Sequence, residues 1–174
     1  KTNEEFKGTI KASGLTGSDL NMYYNNGVYK VKINNAKSGE IVKFKIGSKT
    51  FYSETNNKGY ASLKITLKPG KYKVTSFYAG LKVSNNIVVK KVLFTKDISK
   101  KKSKKIKFTA TLKQGKKPLS KKKITFKVNG KKYSAKTNKK GIANVYLKNL
   151  KVGKNKIYTS YAGLTVKNTI KIRN

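Results

Sequence analysis

Cysteine, histidine and tryptophan are absent from this chain of 174 residues, which holds only six Asp and Glu and two Pro. Without Cys, no disulfide can staple a core and no thiolate can serve as nucleophile or metal ligand. Without His, and with so few carboxylates, zinc sites and acid–base pairs lack raw material, so no metal, cofactor or catalytic residue is expected. Ser, Thr and Tyr are plentiful, but no base stands ready to activate them. No window approaches the ~18 apolar residues that a membrane-spanning helix needs. The composition reads as that of a non-enzymatic protein.

What is present is lysine. Lys and Arg together number 43, for a net charge of +37, and Arg173 is the one arginine. The charge is uneven. Residues 1–94 carry 17 Lys and 5 acids, a net +12, whereas residues 95–174 carry 25 Lys, Arg173 and Asp97 alone, a net +25. Self-repulsion at that density opposes a compact fold unless salt or a polyanion screens it. An acidic partner is expected.

The chain also repeats itself. Thr55-Asn56-Asn57-Lys58-Gly59-Tyr60-Ala61 returns as Thr137-Asn138-Lys139-Lys140-Gly141-Ile142-Ala143, shifted by 82 residues. Phe77-Tyr78-Ala79-Gly80-Leu81-Lys82-Val83 returns as Ser160-Tyr161-Ala162-Gly163-Leu164-Thr165-Val166, shifted by 83. A period this long exceeds the ~20–50 residues of solenoid and propeller units, so each copy should bury its own core. Two domains are expected, 1–90 and 91–174, with residues 1–7 read as a linker or cloning remnant. A chain opening on Lys1 is expected to be a piece of something longer.

Period-2 alternation, as in Ile124, Phe126 and Val128 against Lys123, Thr125 and Lys127, marks half-buried strands. Sustained helical periodicity is missing. Asn129-Gly130 and Gly47-Ser48 carry two-residue hairpin chemistry, and Ala79-Gly80 and Ala162-Gly163 are expected to turn the last hairpin of each copy. Strands are expected near 8–13, 28–33, 40–46, 49–54, 60–66, 71–78 and 81–89. In the second copy they fall near 91–95, 104–112, 122–128, 131–136, 142–147, 154–161 and 164–172. The fold class is all-β: two tandem immunoglobulin-like antiparallel β-sandwiches of about seven strands each. The antibody Cys…Trp…Cys spacing is absent, so the reading concerns sandwich architecture only.

The series Gly115-Lys-Lys-Pro118-Leu119, Ile124-Thr-Phe126-Lys-Val128-Asn129-Gly130, Thr137-Asn138-Lys-Lys-Gly141-Ile-Ala143 and Tyr161-Ala-Gly163-Leu-Thr-Val166 resembles the immunoglobulin-like repeats of adhesin-like surface proteins, abundant in methanogenic archaea and found in bacteria. The resemblance covers most of the second copy and residues 15–90 of the first. It implies an extracellular, cell-wall-associated protein built of many such modules, serving as stalk or adhesive surface beside neighbouring repeats. The family pattern often has Asp after the motif Thr; Asn56 and Asn138 stand there in this chain, which argues against an acid-dependent ion site.

Three sets of residues compete for function. The polybasic runs Lys100, Lys101, Lys102, Lys104 and Lys105, with Lys116, Lys117, Lys121, Lys122, Lys123, Lys131, Lys132, Lys139 and Lys140, are expected mostly in or beside loops. They would dock an anionic cell-wall or host-surface polysaccharide, or act merely as a solvated face. Nucleic acid is the rival polyanion, and a nonspecific nucleic-acid-binding protein the alternative. One Arg argues against reading bases, which relies on guanidinium forks, so such binding would be nonspecific. Asn85 and Asn168 fall at matching positions of the last strand. A backbone-bonded Asn is the plain reading, and a Lys–Asn isopeptide cross-link, which needs a neighbouring buried carboxylate, the sharper one. Asp19 and Asp97 are read as turn formers or screens for nearby lysines.

Overall fold

A computed structural model describes residues 14–174; the strand expected at 8–13 and the stretch 1–7 lie outside the described residues. The chain divides into two compact units between Lys90 and Lys91. Unit 1 contains β1 (Leu15–Gly17), β2 (Leu20–Tyr23), β3 (Val28–Ile33), β4 (Ile41–Ile46), β5 (Lys49–Glu54), β6 (Tyr60–Lys64), β7 (Gly70–Tyr78) and β8 (Leu81–Lys90). Unit 2 contains β9 (Leu93–Phe94), β10 (Ile98–Lys101), β11 (Lys105–Gln114), β12 (Lys117–Pro118), β13 (Lys123–Val128), β14 (Lys131–Lys136), β15 (Ile142–Lys148), β16 (Gly153–Tyr161) and β17 (Leu164–Arg173).

Each unit is a two-sheet sandwich. In unit 1 a three-stranded sheet, β1-β3-β6, faces a five-stranded one, β2-β8-β7-β4-β5. In unit 2 β12-β11-β15, with β9 also on β11, faces β10-β17-β16-β13-β14. Alternation decides which side chains go inside: β4 buries Val42, Phe44 and Ile46, and β13 buries Ile124, Phe126 and Val128. An aromatic from each sheet meets at the centre, edge to face, at 6.0 Å for Tyr29–Phe44 and 6.1 Å for Phe108–Phe126. Such a pair contributes about 0.5–1.5 kcal/mol beyond its buried area.

The hairpins follow their turn residues. Asn129 and Gly130 both take positive φ (49° and 79°), as do Ala79-Gly80 (48°, 79°) and Ala162-Gly163 (47°, 83°). That is the I′ pattern, whose twist matches the flanking strands. Gly47 takes φ 60° in the β4–β5 turn.

The sequence reading had no counterpart for β2 and β10. Each continues the first segment of its unit across to the other sheet and pairs parallel with the last strand: Leu20 with Ile87, and Ile98 with Ile170. The architecture is therefore an immunoglobulin-like sandwich in each unit, antiparallel among the described residues apart from this one parallel pair.

Candidate polyanion-binding surface

The repeated motifs turn out to be structural. Thr55 Oγ1 donates to the Lys37 carbonyl and accepts from the Glu40 N–H at 3.0 Å; Thr137 Oγ1 donates to the Leu119 carbonyl at 2.6 Å and accepts from the Lys122 N–H at 2.9 Å. Asn56 Oδ1 accepts from the N–H groups of Lys58 and Tyr60, and Asn138 Oδ1 from those of Lys140 and Ile142. These asparagines close turns with their own backbone, which needs no charge. Gly59 and Gly141 complete the turn at φ 82° and 75°, where a Cβ on Gly59 would sit 2.5 Å from the Ile33 carbonyl oxygen.

Asp19 and Asp97 are not placed as the sequence reading had them. Asp19 Oδ1 accepts from the Asn86 N–H at 2.9 Å and the Asn85 amide at 3.3 Å; Asp97 Oδ1 accepts from the Thr169 N–H at 2.9 Å and the Asn168 amide at 3.0 Å. Each carboxylate thus clips the start of the parallel strand to the last strand. The Thr169 N–H first, and the Asn168 amide second, hold the Asp97 carboxyl below the usual carboxylate range. Both aspartates are exposed, whereas the cross-link chemistry asks for a buried acid.

All fourteen lysines of the polybasic runs are exposed. Lys100 and Lys101 are not in a loop: they ride on edge strand β10, opposite Ile172 and Arg173. With Lys105 they line a groove of about 460 Å³, joined by Lys96 and Lys107 and by the hydroxyls of Ser103 and Thr109. Lys102 and Lys104 line a different hollow, of about 380 Å³, with Asn149, Leu150 and Lys151. Lys121 and Lys122 lie in the loop held by Thr137, and Lys139 and Lys140 in the Asn138 turn. Lys116 precedes Lys117 of the short β12.

Further lysines on the outer sheet face, Lys127, Lys136, Lys154, Lys167 and Lys171, were missed because they stand singly, and they join Lys123 and Lys132 of the runs. The outward positions of β17, β16, β13 and β14 align as a row, Lys167–Tyr158–Lys127–Lys132. Lys123 stands opposite Lys136, and Lys154 opposite Lys171. Directly opposed like charges destabilise an antiparallel pair, with Cβ atoms about 4.5–5.5 Å apart. The signal available beforehand was the period-2 pattern, which places Lys127, Lys154, Lys167 and Lys171 on one outer face. Among the described residues no group of three or more His, Cys, Asp or Glu could hold a metal ion. Among the described residues, no helix is long and apolar enough to cross a membrane.

No protein-family model matches the chain, and no curated protein does. Among solved structures it is similar to the D0-D1 domain of intimin (19% identity, 92% of this chain and 97% of that one, TM-score 0.41). It is also similar to the I9-I11 tandem of titin (15% identity, 90% and 64%, TM-score 0.44) and to the polymeric Ig receptor ectodomain of a teleost fish (12% identity, 91% and 96%, TM-score 0.37). The fold assignment itself rests on the strand registers.

Proposed function

We propose that the chain is a non-catalytic pair of modules from an extracellular, adhesin-like surface protein, with neighbouring repeats on the same polypeptide. In this reading the pair serves as stalk or spacer, and the lysine-rich surface of unit 2 holds an anionic cell-wall or host-surface polysaccharide. The observation that carries it is the arrangement of lysine in unit 2. Opposed pairs such as Lys127–Lys132 and Lys123–Lys136 cost stability in the free protein, and a polyanion laid along the row removes that cost. The groove of Lys96, Lys100, Lys101, Lys105 and Lys107 extends the same potential to the β10 edge. Ammonium groups act as point charges that pair with carboxylate or sulfate without demanding one orientation, which suits a polymer better than a small ligand.

The test is retention of the whole chain on a purified anionic wall polysaccharide and on double-stranded DNA across a salt series. Charge-neutral Gln variants at Lys127, Lys132 and Lys167 should flatten the salt dependence, because each lost contact removes roughly one released counterion. Retention unchanged by the three substitutions would reject the surface. Sequence-selective DNA binding that survives salt would replace the polysaccharide with nucleic acid.

A further inference from the structure

The same outer sheet face differs between the copies in a way the fold does not require. In unit 1, β8, β7, β4 and β5 align a row Lys82–Phe77–Lys43–Tyr52. The equivalent row in unit 2 is Thr165–Ser160–Thr125–Ser134. Four small hydroxyl residues satisfy a solvated sheet face, so unit 2 shows that this sandwich can form without aromatics there. Unit 1 nevertheless leaves Tyr52 65% and the adjacent Ile41 51% exposed. Phe77 and Tyr52 are two strand spacings apart, about 10 Å, with Lys43 between them. The Lys43 ammonium stands 4.7 Å from the Phe77 ring centroid. Beside the row lies an open hollow of about 470 Å³, lined by Ile41, Tyr52, Phe77 and Leu81 among others.

We propose that this platform binds a linear uronate-bearing polysaccharide, with sugar rings stacked on Phe77 and Tyr52 and carboxylates paired with Lys43 and Lys82. Lysine and aromatic positions alternate across the four strands. A uronic acid offers the complementary alternation, since each pyranose has an apolar C–H face and a carboxylate at its edge. Glu54, opposite Ile41, adds an acceptor for sugar hydroxyls at the end of the row. Charge complementarity selects the acidic glycan over a neutral one, and the exposed Tyr52 with the half-buried Phe77 selects a glycan over a bare polyphosphate, which has no face to stack. The platform stands on unit 1 and does not depend on the basic face of unit 2.

The test uses the whole chain, a galacturonic acid oligomer, its methyl ester and inorganic polyphosphate. The variant Tyr52→Ser/Phe77→Ser gives unit 1 the residues that unit 2 carries at Ser134 and Ser160, and Lys43→Gln removes the central charge. The uronate oligomer should bind the double variant roughly tenfold more weakly, as expected for losing two stacked rings, while polyphosphate binding stays unchanged. Lys43→Gln should weaken the uronate and leave the ester unaffected. Undiminished uronate binding by both variants would overturn the platform. Equal affinity of wild type for uronate and ester would overturn its acidic specificity. A parallel loss of polyphosphate in the double variant would also count against it, by showing a general rather than local effect. Failure of the unit 2 lysine variants to change polyphosphate retention would reject the proposed unit 2 surface and leave this platform standing.

Discussion

A triad at the sheet-switching segment predicts a measurable coupling. In unit 1 the Tyr29 hydroxyl donates to Asn85 Oδ1, and Gly17 lies against both. A Cβ on Gly17 would stand 2.6 Å from the Tyr29 oxygen and closer still to Asn85 Oδ1. In unit 2, matching registers put Thr95, Phe108 and Asn168 at these places, and both Thr95 Oγ1 and Asn168 Oδ1 are buried without a hydrogen-bond partner. The larger residue at one position accompanies loss of the hydroxyl at the other. Gly17→Thr alone should therefore overpack the site at a cost of about 1–3 kcal/mol. Tyr29→Phe alone should cost about 1–3 kcal/mol by stranding the part-buried Asn85 acceptor. Together they reproduce the unit 2 arrangement, and should cost less than their sum by about 1–2 kcal/mol. In a domain of this size each kcal/mol moves Tm by about 4–8 °C, so calorimetry of the whole chain resolves the cycle, the unit 2 transition serving as internal reference. The converse change in unit 2, Thr95→Gly/Phe108→Tyr, supplies Asn168 Oδ1 with a donor and should raise the unit 2 Tm. Strict additivity of the unit 1 pair would refute the reasoning.

Other consequences follow from single residues. Asp97 has a depressed folded-state pKa, so its contribution to stability is present above its unfolded value of about 3.9 and is lost as pH falls through the folded value. An NMR titration of its carboxyl carbon should give a midpoint below that of a free aspartate, and Asp97→Asn should remove this part of the acid destabilisation; a midpoint at or above the free value would contradict the clip. Gly59→Ala should cost more than about 2 kcal/mol in chemical denaturation, combining a left-handed φ of 82° with a clash against the Ile33 carbonyl. Ala162→Asn should stabilise unit 2 by about 0.5–1 kcal/mol, because Asn129 already occupies the same turn position at φ 49° and tolerates it better than Ala. A neutral or negative shift in Tm would show that the Ala turn is not strained.

Legibility in the sequence tracked the range of the interactions. Strands such as β4, β13 and β16 carry alternating side chains and end in Gly-containing turns, so local pattern suffices for them. Strand β10 reads Ile98-Ser99-Lys100-Lys101, a short, half-charged stretch whose pairing partner lies some seventy residues away. No local pattern marks it, and its lysines are accordingly expected in or beside a loop. The same holds for Asp19 and Asp97, whose partners Asn85, Asn86, Asn168 and Thr169 come from the far end of each unit. Runs of lysine drew attention to the β10 edge, while the single lysines Lys127 and Lys167 escaped it until registers aligned them with Lys132.

The most direct measurement is a backbone and side-chain NMR titration of the whole chain with an anionic wall polysaccharide. The account expects the largest shifts at Lys127, Tyr158 and Lys167 of the unit 2 sheet face and at Lys100, Lys101 and Lys107 of the β10 groove, all diminishing with added salt. Shifts spread evenly over the exposed lysines of both units would contradict it, as would their absence from this face.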